Sequence, residues 1–434
     1  MSIFNWTSSF FFQLSILTLL IHCRGFPGPI RQGGLSPIPN EVFMEILKHL
    51  RPPENNPWID PVYRRDFSRV ALVCRFFCSV MLPWIYESMG FAGKTNGPHD
   101  VNHAPFCRSI ISGCESARIM ATYVKRCSFS EWIQDEYFPS ESSWSNEGFQ
   151  TLYSRALAFM PNVEELKLTM ISFNKYLLKS TLELKCLTSL SLDNCSFGKL
   201  KLKDLHKLST LQLKHVRFTG SLGITDVEDA LHISHLLCLD SLVTLHTSYW
   251  PFIARIAEQK SHLPLQDLEI LEIFQADQVE LLPKIFQKTP ALKKLRITSA
   301  PALNHDVQFD DVLPALRELC CPLFLLQSLV PGRPLSSIEI TGSSSAEISD
   351  IQSFFEKTST LKIRSLCVPV RVYQRIFLRE SFPGLKSLRL KPVFRNTDYY
   401  CASPELVLSQ VFSNIIFKSQ ILIQYTCIDS FRYQ

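Results

Sequence analysis

Leu187-Thr188-Ser189-Leu190-Ser191-Leu192 is the stretch on which the fold turns. Read as a strand, it sets Leu190 and Leu192 on one face and Ser189 and Ser191 on the other, because successive strand side chains point to opposite sides. The frame recurs upstream as Val163-Glu164-Glu165-Leu166-Lys167-Leu168 and downstream as Leu208-Ser209-Thr210-Leu211-Gln212-Leu213. Aliphatic variants of it begin at Leu242, Leu268, Leu292, Leu316, Leu335, Ile363 and Leu385. Residues 163 to 385 thus hold nine intervals averaging near 25 residues, with gaps from 19 to 34.

A period of about 20–29 residues with this frame resembles the leucine-rich repeat, in which each unit is a short strand and a helical return. Asp193-Asn194-Cys195-Ser196-Phe197 places asparagine and cysteine near the usual consensus positions. The intervening stretches read as returns. Val279, Leu282, Ile285 and Phe286 form a helical stripe, as do Ile348, Ile351, Phe354 and Phe355, and again Val372, Ile376 and Phe377. Pro161, Pro290, Pro314 and Pro383 suit the turn into a strand, where no N–H is needed. One repeat cannot bury its apolar side alone, so stacking is expected to create a continuous core. The outward positions include Glu165, Lys167, Ser189, Ser191, Thr210, Gln212, Lys294, Arg296, Ser337, Glu339, Ser387 and Arg389. They are polar and varied, as on a recognition face and as on any solvated sheet. An α/β domain with nonrepeating strands is the competing reading, kept open by the uneven spacing.

Ahead of the repeats lies Ile38-Pro39-Asn40-Glu41-Val42-Phe43-Met44-Glu45-Ile46-Leu47-Lys48-His49-Leu50. Pro39 suits a first helical position, with Glu41 and Glu45 toward the helix start and Lys48 and His49 at its end. Val42, Phe43, Ile46, Leu47 and Leu50 make an apolar face too wide for a helix this short to carry alone. A second helix is expected over Asp66–Tyr86, capped by Asp66 and ended or bent at Pro83. In it, Leu72-Val73-Cys74-Arg75-Phe76-Phe77 precedes Pro83-Trp84-Ile85-Tyr86. With Ile38-Pro39-Asn40-Glu41, these fragments resemble the F-box family in the form found in many fungal proteins. The likeness covers roughly residues 35 to 90. Ile38 stands where leucine is usual, and the link from Arg51 to Arg65 is long for the family.

The bulk properties exclude several classes. The 434 residues carry 45 basic and 40 acidic side chains, a net charge of +5, without a long single-sign run, which argues against a dedicated nucleic-acid binder. The 14 cysteines include no Cys-x-x-Cys pair and read as scattered reduced thiols. No phosphate loop or nucleophile elbow occurs. His99, His103, Cys107 and Cys114 have residue types that suit zinc, but their spacing matches no common module, and no metal or cofactor is expected. His232 and His235 read as packing or surface residues, and Trp132, Trp144 and Trp250 as core or repeat-edge aromatics. Residues 10 to 21 form an apolar run with the length of a signal-peptide core, without a preceding Lys or Arg. Either it is a working signal or anchor, or it is a nonfunctional extension.

The expected fold class is α/β: a short all-helical F-box followed by a leucine-rich-repeat solenoid with a parallel sheet on its concave face. Five segments follow: an N-terminal extension over 1–34, the F-box over 35–90, and a connecting region over 91–150. Repeats then fill 151–400, with a C-terminal cap or tail over 401–434. Tyr123 to Phe129 is a candidate first, degenerate repeat strand, and Ile421-Leu422-Ile423 a candidate cap for the last repeat.

The resemblance implies a non-catalytic substrate receptor that docks a Skp-type adaptor, and through it a cullin–RING ubiquitin ligase, while the repeats hold an unidentified protein substrate. Carried over from the family, the adaptor contacts are Ile38, Pro39, Val42, Ile46, Leu50, Val73, Cys74 and Phe77. No nucleic acid is implied, nor any membrane unless the N-terminal segment works, and the expected compartment is cytoplasm or nucleus. The alternative is a secreted or membrane-tethered repeat protein using that segment as its signal. The sequons at Asn5 and Asn194 would serve that reading, which leaves residues 38 to 86 without a purpose.

Overall fold

The computed structural model describes residues 39–50, 61–92, 103–130, 143–195, 197, 200, 204, 206–220, 241–258, 265–301, 309, 312–341, 362–369, 384–391 and 422–425. Two compact units divide the chain, one of residues 1–213 with 221–224, the other of 214–220 with 225–434.

Among the described residues, the first unit begins with three helices, α1 (Asn40–Lys48), α2 (Pro61–Ala71) and α3 (Arg75–Tyr86). The helix expected over Asp66–Tyr86 is in fact two. The break falls at Leu72-Val73-Cys74, and the extended Cys74 accepts a hydrogen bond from the Phe77 N–H as the N-cap of α3. Asp66 lies inside α2, which already begins at Pro61, a residue suited to a first turn. Pro83 does not end α3 but lies inside it. An interior proline costs a helix about 3 kcal/mol, and packing on both sides offsets this. The Trp84 ring meets Phe67 edge-on at 5.7 Å, and Tyr86 stacks obliquely on Phe106 at 5.4 Å. Leu47, Phe67, Ala71 and Met81 form the buried centre, with Tyr63, Val70, Phe77, Val80, Trp84 and Ile85 around it.

A parallel sheet follows directly, with strands in sequence order: β1 (Ser88–Ala92), β2 (Arg126–Ser130), β3 (Glu165–Thr169) and β4 (Ser189–Asp193). Cys127 pairs with Leu166, and Leu166 with Leu190, so equivalent positions stack in register. The candidate strand near Tyr123–Phe129 is β2. The strand order starts earlier still, at Ser88, where Met89 and Phe91 stand in for the two leucines and are 1% exposed. Helices Ala104–Ile111, Glu115–Ala121, Ser143–Leu157 and Lys175–Glu183 supply the returns.

The second unit repeats the plan with β5 (His215–Thr219), β6 (Thr244–Thr247), β7 (Ile270–Gln275), β8 (Lys294–Ser299) and β9 (Glu318–Pro322). It continues with β10 (Ser337–Thr341), β11 (Ser365–Pro369), β12 (Ser387–Lys391) and β13 (Leu422–Tyr425). Each strand is parallel to the next. Val216, Leu245, Leu271, Leu295, Leu319, Ile338, Leu366, Leu388 and Ile423 line up as one row of partners. This one-strand-per-repeat order fits leucine-rich repeats. Full burial of one Leu or Ile is worth roughly 1.5–3 kcal/mol, and β7, β8, β10 and β12 each bury a pair of them.

One detail departs from the sequence reading. Leu208 to Leu213 is not a strand: residues 206–210 form a short 3-10 helix, and the strand is His215–Thr219. The frame there starts later, running from Leu213 through Val216 to Phe218, and the two frames share Leu213. Val and Phe suit a pleated surface better than Leu does, while Leu208, Leu211 and Leu213 stay buried in the return. Leu422 and Ile423 of the candidate cap lie in a further parallel strand on β12, with Ser387 facing Leu422. By contrast, Val279, Leu282, Ile285 and Phe286 occupy a short helical return and are all buried. The stripes at Ile348–Phe355 and Val372–Phe377 lie outside the described residues.

Buried polar groups hold the returns in place. Arg333 is 6% exposed and donates to the carbonyls of Val312 at 3.0 Å, Leu329 at 2.9 Å and Pro331 at 3.0 Å, and also to Phe309. Its guanidinium thus serves several carbonyls of loops and of the end of helix Leu323–Leu329.

Candidate functional site

Two surfaces stand out. The first is on the three N-terminal helices, where the break between α2 and α3 and the outer side of α1 leave large apolar side chains in solvent. Val42 is 45% exposed, Ile46 55%, Leu50 43%, Leu72 56% and Val73 67%. Phe43 ties α1 to α3 through Phe77 at 5.5 Å and Phe76 at 6.3 Å. Leu47 is the one α1 side chain that enters the buried centre. The apolar face of α1 is therefore divided, with Leu47 inward, Phe43 at the rim and Val42 and Ile46 outward.

The eight residues marked as adaptor contacts fall as follows. Pro39 is exposed, with extended ψ, and its carbonyl accepts from Val42 at 3.0 Å, so it precedes the first helical residue by one. Val42, Ile46, Leu50, Val73 and Cys74 are exposed. Phe77 is half-buried and contributes to the packing of the helices. Ile38 lies outside the described residues. Leu72, which sequence reasoning left out, belongs to the same exposed set; its signal was its place beside Val73 in the segment between α2 and α3.

The second surface is the outward face of β7–β12. Between the two inward residues of successive strands sit Glu272, Arg296, Cys320, Glu339, Cys367 and Arg389. The His246 Nδ1 lies 2.6 Å from Glu272 Oε2 across the β6–β7 step. That hydrogen bond, against the opposing effect of burial, holds the Glu272 carboxyl below its ordinary pKa, helped by the charges of His246, Lys294 and Arg296. Arg296 donates to Glu339 at 3.1 Å, spanning β9, and Lys391 reaches the same carboxylate across β11. Cys320 and Cys367 occupy the row on the spanned strands, and their small size leaves room for the longer side chains. Burial raises the Glu339 pKa, but the hydrogen bond from Lys391 and the charges of Lys391 and Arg296 outweigh it and hold the carboxyl low.

Burial pushes the Cys320 thiol up to about 12, and raises Cys367 as well, with Glu339 adding to both. No group of three His, Cys, Asp or Glu side chains gathers as metal ligands among the described residues. His99 lies outside them. His103 and Cys107 are buried and Cys114 is exposed. His232, His235 and Trp132 lie outside the described residues, as does the apolar run 10–21. Trp250 is a buried core residue at the start of helix Trp250–Glu258. No helix among the described residues is long and apolar enough to cross a membrane.

No protein-family model matches the chain, and no curated protein does. Among solved structures, the chain is similar to one titled "Crystal structure of LRIM1/APL1C complex", at 10% identity and a TM-score of 0.23. The alignment covers 69% of this chain and 61% of that one, a likeness too slight to bear on function.

Proposed function

We propose that this chain is the substrate-recognition subunit of a Skp–cullin–F-box ubiquitin ligase, with α1–α3 docking the Skp-type adaptor and the repeat strands holding a protein substrate. The observation that carries this reading is the exposure of Val42, Ile46, Leu50 and Val73 beside a separate buried centre at Leu47, Phe67 and Met81. Exposed aliphatic residues grouped on adjoining segments are costly to leave in water unless a partner covers them. They fall where the F-box resemblance marks adaptor contacts. The repeats support the other half: a parallel sheet with a polar, varied outer row is a surface for protein binding.

In this mechanism the chain makes and breaks no bonds and needs no cofactor. It raises the effective concentration of substrate lysines near the ubiquitin-charged enzyme. It works where the adaptor is found, in cytoplasm or nucleus. The test is a pull-down of the full chain with purified Skp-type adaptor, alongside a variant carrying Pro39→Ala and Ile46→Ala. Loss of two exposed anchors that the adaptor would cover should weaken binding more than tenfold, since hot-spot losses commonly exceed about 2 kcal/mol. No binding by the folded wild-type chain would remove the reading.

A further inference from the structure

The residue that leads into each strand forms a row of its own in the second unit. The backbone N–H of Arg317 donates to Lys293 O, that of Ser336 to Arg317 O, that of Arg364 to Ser336 O and that of Lys386 to Arg364 O, each at 2.8 Å. These bonds place Lys293, Arg317, Ser336, Arg364 and Lys386 side by side at the starts of β8–β12. Four of the five are cations, none is acidic, and those four are exposed. Lys293 pairs with Glu269 at 2.5 Å, but no carboxylate of a described residue lies within ion-pairing distance of Arg317, Arg364 or Lys386. The earlier members of the row, Lys214, Val243 and Glu269, continue no such stripe. In the first unit the matching positions are Glu87, Lys125, Glu164 and Thr188, and Lys125 faces Glu164 at 4.0 Å.

A row of like charges at adjacent strand starts repels itself and gains from an anionic partner laid across it. Four strand intervals span about 19 Å, the length of roughly six extended residues. The leading and outward positions of β8–β12 hold no Phe, Tyr or Trp, whereas single-stranded nucleic acid is held by aromatic stacking as well as charge. We propose that this stripe binds an acidic, extended peptide segment of the partner protein, running across the starts of β8–β12 with its carboxylates on Arg317, Arg364 and Lys386. The inference rests on the reading of the repeats as a protein-binding surface, but does not depend on the adaptor.

The test is fluorescence anisotropy of the full chain with a labelled twelve-residue peptide of alternating Glu and Ser. Saturable binding is expected, weakening as salt rises. Arg317→Glu, Arg364→Glu and Lys386→Glu together should weaken it at least tenfold, with the corresponding Gln variant in between. Reversing Lys175, Lys179 and Lys185, which makes the same change in net charge, should alter binding less than twofold. Failure of the peptide to saturate, equal losses in both reversals, or tighter binding of a twelve-nucleotide thymidine strand would each overturn the proposal. Adaptor binding by the same variants should be unchanged, so a failure here is distinct from a failure of the docking reading.

Discussion

His103 offers a test of how the first unit is held together. It sits just before helix Ala104–Ile111, 5% exposed, with its ring edge-on to Phe91 at 5.7 Å. Its Nδ1 has no hydrogen-bond partner among the described residues. Burial, with the nearby Arg64 charge adding to it, takes the pKa from 6.5 down to about 3. The unfolded chain therefore binds a proton between these values that the folded chain refuses. The contribution of neutral His103 to stability is whole above pH 6.5 and is lost as pH falls toward 3. At pH 5 the unfolded state gains roughly 2 kcal/mol relative to pH 7 from this one group. Other carboxylates also titrate on the acid side, so the comparison needs a chain without the imidazole. His103→Phe keeps a ring beside Phe91 and cannot be protonated. Urea unfolding at pH 7 and pH 5 should show wild type losing about 2 kcal/mol more than the variant. Losses equal to within about 0.5 kcal/mol would show that His103 is not held neutral by burial, and the reasoning would fail.

Phe67→Ala should destabilise the helical region by about 3–5 kcal/mol, as large core truncations do, whereas Ile46→Ser should change stability by less than about 0.5 kcal/mol; thermal melts of the two variants check this. Glu339→Gln should leave Arg296 and Lys391 facing each other without their shared carboxylate, costing about 1–2 kcal/mol at low salt and less at high salt; the salt dependence of urea midpoints measures it. Arg333→Met should cost at least about 3 kcal/mol, because several buried carbonyls lose a charged donor at once; intact stability would mean that water replaces the guanidinium.

Much of the fold was legible from spacing alone. Nine of the ten repeat frames begin strands in the expected register, because the inward aliphatic pair of each frame must stack on its neighbour or leave apolar surface in water. The miss at Leu208 came from overlapping frames around Leu213, where pattern could not choose and packing did. β1 was missed because Met89 and Phe91 replace leucine. The length of the second helix was misread because Cys74 is a poor capping residue on paper, and because proline at position 83 is an ending in isolation.

The sequence by itself determined the repeat, its period, its inward residues and the composition of its outward row, since each depends only on alternation along one strand. It also located the short helical stretch that resembles an F-box. Only the tertiary structure decided which apolar residues of that stretch stay in water, because Leu47 and Ile46 look alike until α2 and α3 pack against one side of α1. It also decided which charges meet. Arg296 and Lys391 are separated by nearly a hundred positions in the chain, yet converge on Glu339 because parallel stacking converts distant repeats into neighbours a few ångströms apart.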